Sequence, residues 1–240
     1  MTTFVLVHGG FHGAWCWYKV AAALVAKGHK VRVPDLPGHG RDETPPAQVS
    51  LRDYGECLCT IIDAQDEPVI LVGHSMGGGP ITLAAEDRPD KIARLVYLAA
   101  LLPETGATMS EIFRQDTQSA VAAHFVVRAD ARLAWFRESG LRETFYHDCS
   151  NEDVMLARLS LRSLPLAPLE EPIHTSAERF GRVPRSYIEC RRDRALSPEV
   201  QRRLHTATPC QQLMSLETSH SPFSSAPEAL VRLLESCACR

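Results

Sequence analysis

Val69-Ile70-Leu71-Val72-Gly73-His74-Ser75-Met76-Gly77-Gly78-Gly79 is the stretch that decides how this chain folds. Its first four residues are apolar and mostly β-branched, which suits a strand buried on both faces. Gly73 to Gly77 then fit Gly-x-Ser-x-Gly, and residues 80–86 read as the start of a helix. Strand, sharp turn and helix form the context in which such a serine serves as a nucleophile. The turn strains the serine backbone, and the flanking glycines let other chain segments approach closely. The Ser75 hydroxyl is thereby raised at the carboxyl edge of a sheet, above a helix N-terminus. From that helix start the N–H of Met76 faces a developing oxyanion. A turn that cradles phosphate is the competing reading. The chain carries neither Gly-x-x-x-x-Gly-Lys-Ser/Thr nor Gly-x-Gly-x-x-Gly, which weakens it.

Outward from this stretch, strands and helices alternate. Short apolar runs predict strands over residues 4–7, 30–34, 95–100, 185–190 and 211–216. Helical patterns occupy 15–27, 51–63, 80–88 and 228–236, and Ser197-Pro198-Glu199 opens another. Ser50-Leu51-Arg52-Asp53 resembles a capping box at the second of these helices. Such alternation implies an α/β fold, with a doubly wound, mostly parallel six-stranded sheet covered on both faces. Ligands then sit beyond the carboxyl ends of the strands, where the winding reverses. The loops after the first and third strands, carrying Gly10 and Ser75, flank that point.

The rhythm breaks at Pro103. Residues 103–180 show helical patterns, no convincing central strand, and the aromatics Phe113, Phe125, Trp135, Phe136, Phe145, Tyr146 and Phe180. This segment reads as a helical cap inserted into a core made of 1–102 and 181–240. Most of its aromatics are expected to fill the cap's own interior.

The chain has 240 residues, 45% of them hydrophobic, enough for one sizeable core. A net charge of −3 points away from nucleic acid and anionic membranes. No run approaches membrane-spanning length, and no targeting segment is expected ahead of Phe4, so a cytoplasmic protein is expected. The eight cysteines include two Cys-x-Cys pairs rather than the Cys-x-x-Cys of zinc sites. Reduced, partly buried cysteines are expected, with Cys237 and Cys239 near the end exposed. Neither a metal nor a cofactor is called for.

A serine hydroxyl needs a base to take its proton and a third group to orient that base. Among ten histidines, His220 alone follows the last strand in a short loop above the sheet edge. His8 and His12 lie in the first loop, which is too rich in glycine to present them as paired metal ligands. His74, immediately before Ser75, is expected to point away from it. Asp193, directly after the fifth strand, is the first candidate for the acid, and Glu104, just past the fourth, is its competitor, since it too lies between Ser75 and His220.

The chain resembles the methylesterase and hydroxynitrile lyase family of α/β-hydrolases, best known from plants. The likeness rests on the opening Phe4-Val5-Leu6-Val7-His8-Gly9-Gly10-Phe11-His12-Gly13-Ala14-Trp15 and the elbow Gly73-His74-Ser75-Met76-Gly77-Gly78. Glu178-Arg179-Phe180-Gly181 and Cys190-Arg191-Arg192-Asp193 extend it to nearly the whole chain. The resemblance implies the α/β-hydrolase fold, with Ser75, Asp193 and His220 as nucleophile, acid and base. It also implies that the N–H groups of Gly10 and Met76 form an oxyanion hole, and it suggests a homodimer. Phe11, His12, Trp135 and Phe136 are the candidates for substrate contact. The expected partner is a small-molecule ester, cleaved through an acyl-enzyme. Two other readings reuse the same residues: a lyase or cyclase, and a small-molecule-binding protein with a vestigial triad. Lyases of this family carry a threonine in the opening loop and a lysine after the histidine. Gly9 and Ser221 stand at those positions here.

Overall fold

A computed structural model describes residues 1–238. Its central sheet comprises β1 (Thr3–Val7), β2 (Lys30–Arg32), β3 (Val69–His74), β4 (Ile92–Leu98), and two later strands, β8 (Arg185–Cys190) and β9 (Gln212–Leu216). The six strands lie in the order β2-β1-β3-β4-β8-β9, and every neighbouring pair is parallel. The chain leaves β1 outward to β2, then crosses back to place β3 on the other flank of β1. Winding therefore reverses between β1 and β3, and a crevice opens beyond their carboxyl ends.

Sequence explains the layering. All residues of β1 and β3 are buried, as apolar runs covered on both faces must be. Lys30 and Arg32 face solvent on β2, an edge strand whose charges discourage pairing with another chain. The covering helices include α1 (Tyr18–Ala26), α2 (Leu51–Asp63) and α3 (Gly78–Asp87). Ser50 and Asp53 do close a capping box on α2: the Ser50 hydroxyl accepts from the Asp53 N–H, and the Asp53 carboxylate accepts from the Ser50 N–H at 2.7 Å. No helix among the described residues is long and apolar enough to cross a membrane.

Residues 103–180 differ from the all-helical expectation. Alongside α4 (Met109–Gln115) and α5 (Asn151–Ser160) they hold β5 (Phe125–Arg128), β6 (Leu133–Phe136) and β7 (Leu164–Pro165), a three-stranded antiparallel sheet. The turn between β5 and β6 places Arg132 at φ +55°, where glycine or asparagine is the usual signal, so the hairpin leaves no mark in the sequence. Lys19 on α1 ties this segment to the core through a 2.7 Å ion pair with the buried Asp153 of α5. After β8 come α6 (Pro198–Ala207) and, past β9, α7 (Pro227–Ala238). Cys237 is buried on α7 rather than exposed, because it falls on the same face as Leu230 and Leu234. Cys239 lies outside the described residues.

Candidate active site

Ser75 follows β3 at φ +53°, a left-handed conformation that costs a non-glycine residue of order 1–3 kcal/mol. Surrounding contacts hold it there. The Ser75 carbonyl accepts from the Leu101 N–H at 2.9 Å, and a Cβ on Gly77 would stand 2.7 Å from the His8 carbonyl. Only glycine lets β1 and the elbow meet so closely.

The serine opens into a cavity of about 430 Å³. Gly10, Met76, His12 and His220 line it beside Ser75, and its walls are Phe113, Phe125, Phe145, Leu164, Leu166 and Leu169. All six wall residues come from 103–180, so that segment encloses the space above the serine. Arg114, Asp116 and Glu170 are its charged lining residues.

His220 is buried, and its Nδ1 donates to Asp193 Oδ2 at 2.6 Å. This bond fixes the tautomer and leaves Nε2 with a free lone pair. Asp193 is equally buried. Its Oδ1 accepts from the N–H groups of Ala195 and Leu196, at 2.7 and 3.0 Å. Glu104, the competing acid, is exposed on the surface. The geometry therefore pairs His220 with Asp193.

The first loop is organised by its histidines. His8 accepts from the Leu36 N–H at Nε2, so its Nδ1 carries the proton and donates to the Gly9 carbonyl at 2.8 Å. In a trans peptide the N–H points opposite to the C=O. Pinning the Gly9 carbonyl thus aims the Gly10 N–H the other way, on the residue that lines the cavity. His12 repeats the device one peptide later. Its Nδ1 donates to the Gly10 carbonyl at 2.7 Å, and its Nε2 accepts from the Tyr146 hydroxyl. Burial lowers the His8 pKa to about 4 and that of His12 to about 3, so both rings are neutral.

His74 has a role that the sequence reading did not give it. It lines the cavity, and its Nε2 donates to the His220 carbonyl at 2.8 Å, which anchors the loop carrying the candidate base. Its position before Ser75 gave no hint of a bond spanning 146 residues of sequence. Two substrate-contact candidates also fall elsewhere. Trp135 and Phe136 border a separate hollow of about 290 Å³ with Leu161, Arg162 and Ser163. Phe11 is the wall between the hollows, and Phe136 packs at a tilt of 51° against Phe145, at 4.5 Å between ring centres. The hairpin of β5 and β6, invisible in the sequence, turns these two residues away from the cavity.

Comparison with known proteins agrees with this fold. A model described as the alpha/beta hydrolase family matches residues 4–233. Putative methylesterase 14, chloroplastic, of Arabidopsis thaliana is 34% identical over 244 residues, covering 96% of this chain and 70% of its own. Methylesterase 7 of the same plant is 35% identical over 244 residues, covering 96% and 94%. Among solved structures, polyneuridine aldehyde esterase superposes with a TM-score of 0.92 at 28% identity, covering 100% of both chains.

Proposed function

The chain belongs to the alpha/beta hydrolase family, among carboxylic ester hydrolases of the methylesterase kind, and from that premise we propose that it works through a Ser75–His220–Asp193 triad. The observation that carries the proposal is the 2.6 Å bond between the buried Asp193 and His220, formed on a cavity that Ser75 also lines.

Each group has a defined task. His220 Nε2 takes the proton from the Ser75 hydroxyl as its oxygen attacks the ester carbonyl. Asp193 keeps the imidazole in the tautomer this requires and stabilises the imidazolium that forms. The N–H groups of Gly10 and Met76 receive the negative charge on the carbonyl oxygen. His220 then protonates the departing alkoxide, leaving an acyl group on Ser75. Water, deprotonated by the same imidazole, releases the acid. The substrate is a small ester whose acyl group is apolar or aromatic, because the walls above Ser75 are aromatic and aliphatic.

Cyanohydrin cleavage is the lesser reading. It calls for a hydroxyl near the nucleophile and a cation to balance cyanide. A Cβ on Gly9 would lie only 2.8 Å from Ser75 Cβ, which leaves no room for threonine. Ser221 is fully buried, carries no charge and does not line the cavity. Leaving an anion there without a cation is costly. One preparation assayed with methyl and p-nitrophenyl esters and with mandelonitrile tests the choice. Ester turnover with a burst of p-nitrophenol, and cyanide release at background, is the expected result. Cyanide release without esterase activity would reverse the assignment.

A further inference from the structure

Asp193 accepts a fourth hydrogen bond, which comes from a side chain with no place in the mechanism so far. Gln201, on the inner face of α6, is fully buried, and its Nε2 stands 3.2 Å from Asp193 Oδ2, the same oxygen that holds His220. The rest of its amide is equally engaged. The two N–H bonds of Nε2 are shared among three acceptors, Asp193 and the carbonyls of Leu196, at 2.8 Å, and Cys190, at 3.2 Å, while Oε1 accepts from the Cys190 N–H at 3.0 Å. Reversing the amide would face oxygen with two carbonyls and a carboxylate, and nitrogen with an N–H. Its orientation is therefore fixed by chemistry.

We propose that Gln201 is the positioning residue of the acid: by bridging the end of β8 to the loop that follows, it holds the Asp193 carboxylate in register with His220. The proposal rests on the triad reading above. Asp193 lies three residues past the last residue of β8, in a loop, and a loop alone does not hold a carboxylate to within a few tenths of an ångström. Gln201 grips the loop on both sides, at Cys190 before the acid and at Leu196 after it. Its own place is set by α6, whose N-cap Ser197 accepts from the Val200 N–H. The Ser197 N–H in turn donates to Asp116 Oδ2 at 2.7 Å, and Asp116 lines the substrate cavity. The acid is thus clamped between a helix of the core and the cavity wall.

A residue that only packed would affect how much protein folds, not how each folded molecule titrates. Gln201→Met keeps the volume and deletes the donor. The Asp193 oxygen, relieved of one N–H, then carries more of its charge toward the imidazole and stabilises the imidazolium. With active sites counted by fluorophosphonate, the variant should lose roughly tenfold to a hundredfold in kcat, with KM within about twofold. The acid limb of its kcat/KM profile should move to higher pH. The low-field proton resonance of the His220 Nδ1–H should shift or broaden in parallel. Gln201→Glu, which preserves shape but sets a carboxylate against Asp193, should move the limb in the same direction and serves if the Met variant does not fold. Unchanged kcat per active site, with limb and resonance in place, would reduce Gln201 to packing. Wild-type protein that fails to take up the fluorophosphonate at Ser75 would instead remove the triad reading.

Discussion

At Asp193 the structure separates two carboxylates that sequence order leaves equal. Asp193→Asn should lower kcat by about four orders of magnitude, because His220 is then held in the wrong tautomer. Glu104→Gln, on an exposed side chain, should leave kcat within about twofold. Exchange of those phenotypes would place the acid at Glu104. Neighbouring glycines make a second contrast. A Cβ on Gly9 meets Ser75 Cβ at 2.8 Å, whereas one on Gly10 meets Leu164 at an ordinary 3.5 Å. Gly9→Ala should therefore displace the serine at a cost of about 1–3 kcal/mol and most of the activity. Gly10→Ala keeps its N–H and should remain active, and equal loss in both would mean the loop is not fixed as described. At this scale motif and chain order pointed to Ser75, Met76 and His220, and all three line the cavity. The sequence could not show His74 or Gln201, whose roles consist of bonds made only when distant segments meet.

Elements divide in the same way. The strands of the central sheet were legible because apolar, β-branched runs have few other uses. Residues 103–180 were less so. Their strands are four residues or shorter, and the turn joining the first two lacks glycine, so aromatic spacing looked helical. Enclosure of the serine by this segment nonetheless has a measurable consequence. Each methylene the cavity removes from water is worth about 0.8 kcal/mol, or roughly fourfold in kcat/KM. Along a p-nitrophenyl series from acetate to hexanoate, kcat/KM should climb by a factor of that order per carbon until the 430 Å³ cavity is full. A flat series would show that the segment does not select the acyl group.

The whole molecule buries several histidines that burial keeps neutral. His8 and His12 titrate at about 4 and about 3 rather than 6.5, and His39 and His74 are also pushed well below 6.5. Below 6.5 the unfolded chain binds protons that the folded chain refuses, so stability falls as pH drops through this window and is flat above it. The thermal midpoint should hold steady from about pH 7 to 8 and decline steadily below about pH 6. A midpoint unchanged down to about pH 4 would mean these rings are not neutral and buried in the fold. Such a decline would also narrow the range in which activity is read, so the decisive measurement belongs near neutral pH. Intact-mass analysis after treatment with a fluorophosphonate tests the triad most directly. One adduct, mapped to Ser75, absent from Ser75→Ala and strongly slowed in Asp193→Asn, is the predicted result. Folded wild-type protein that takes no label, or takes it at another residue, would contradict the account.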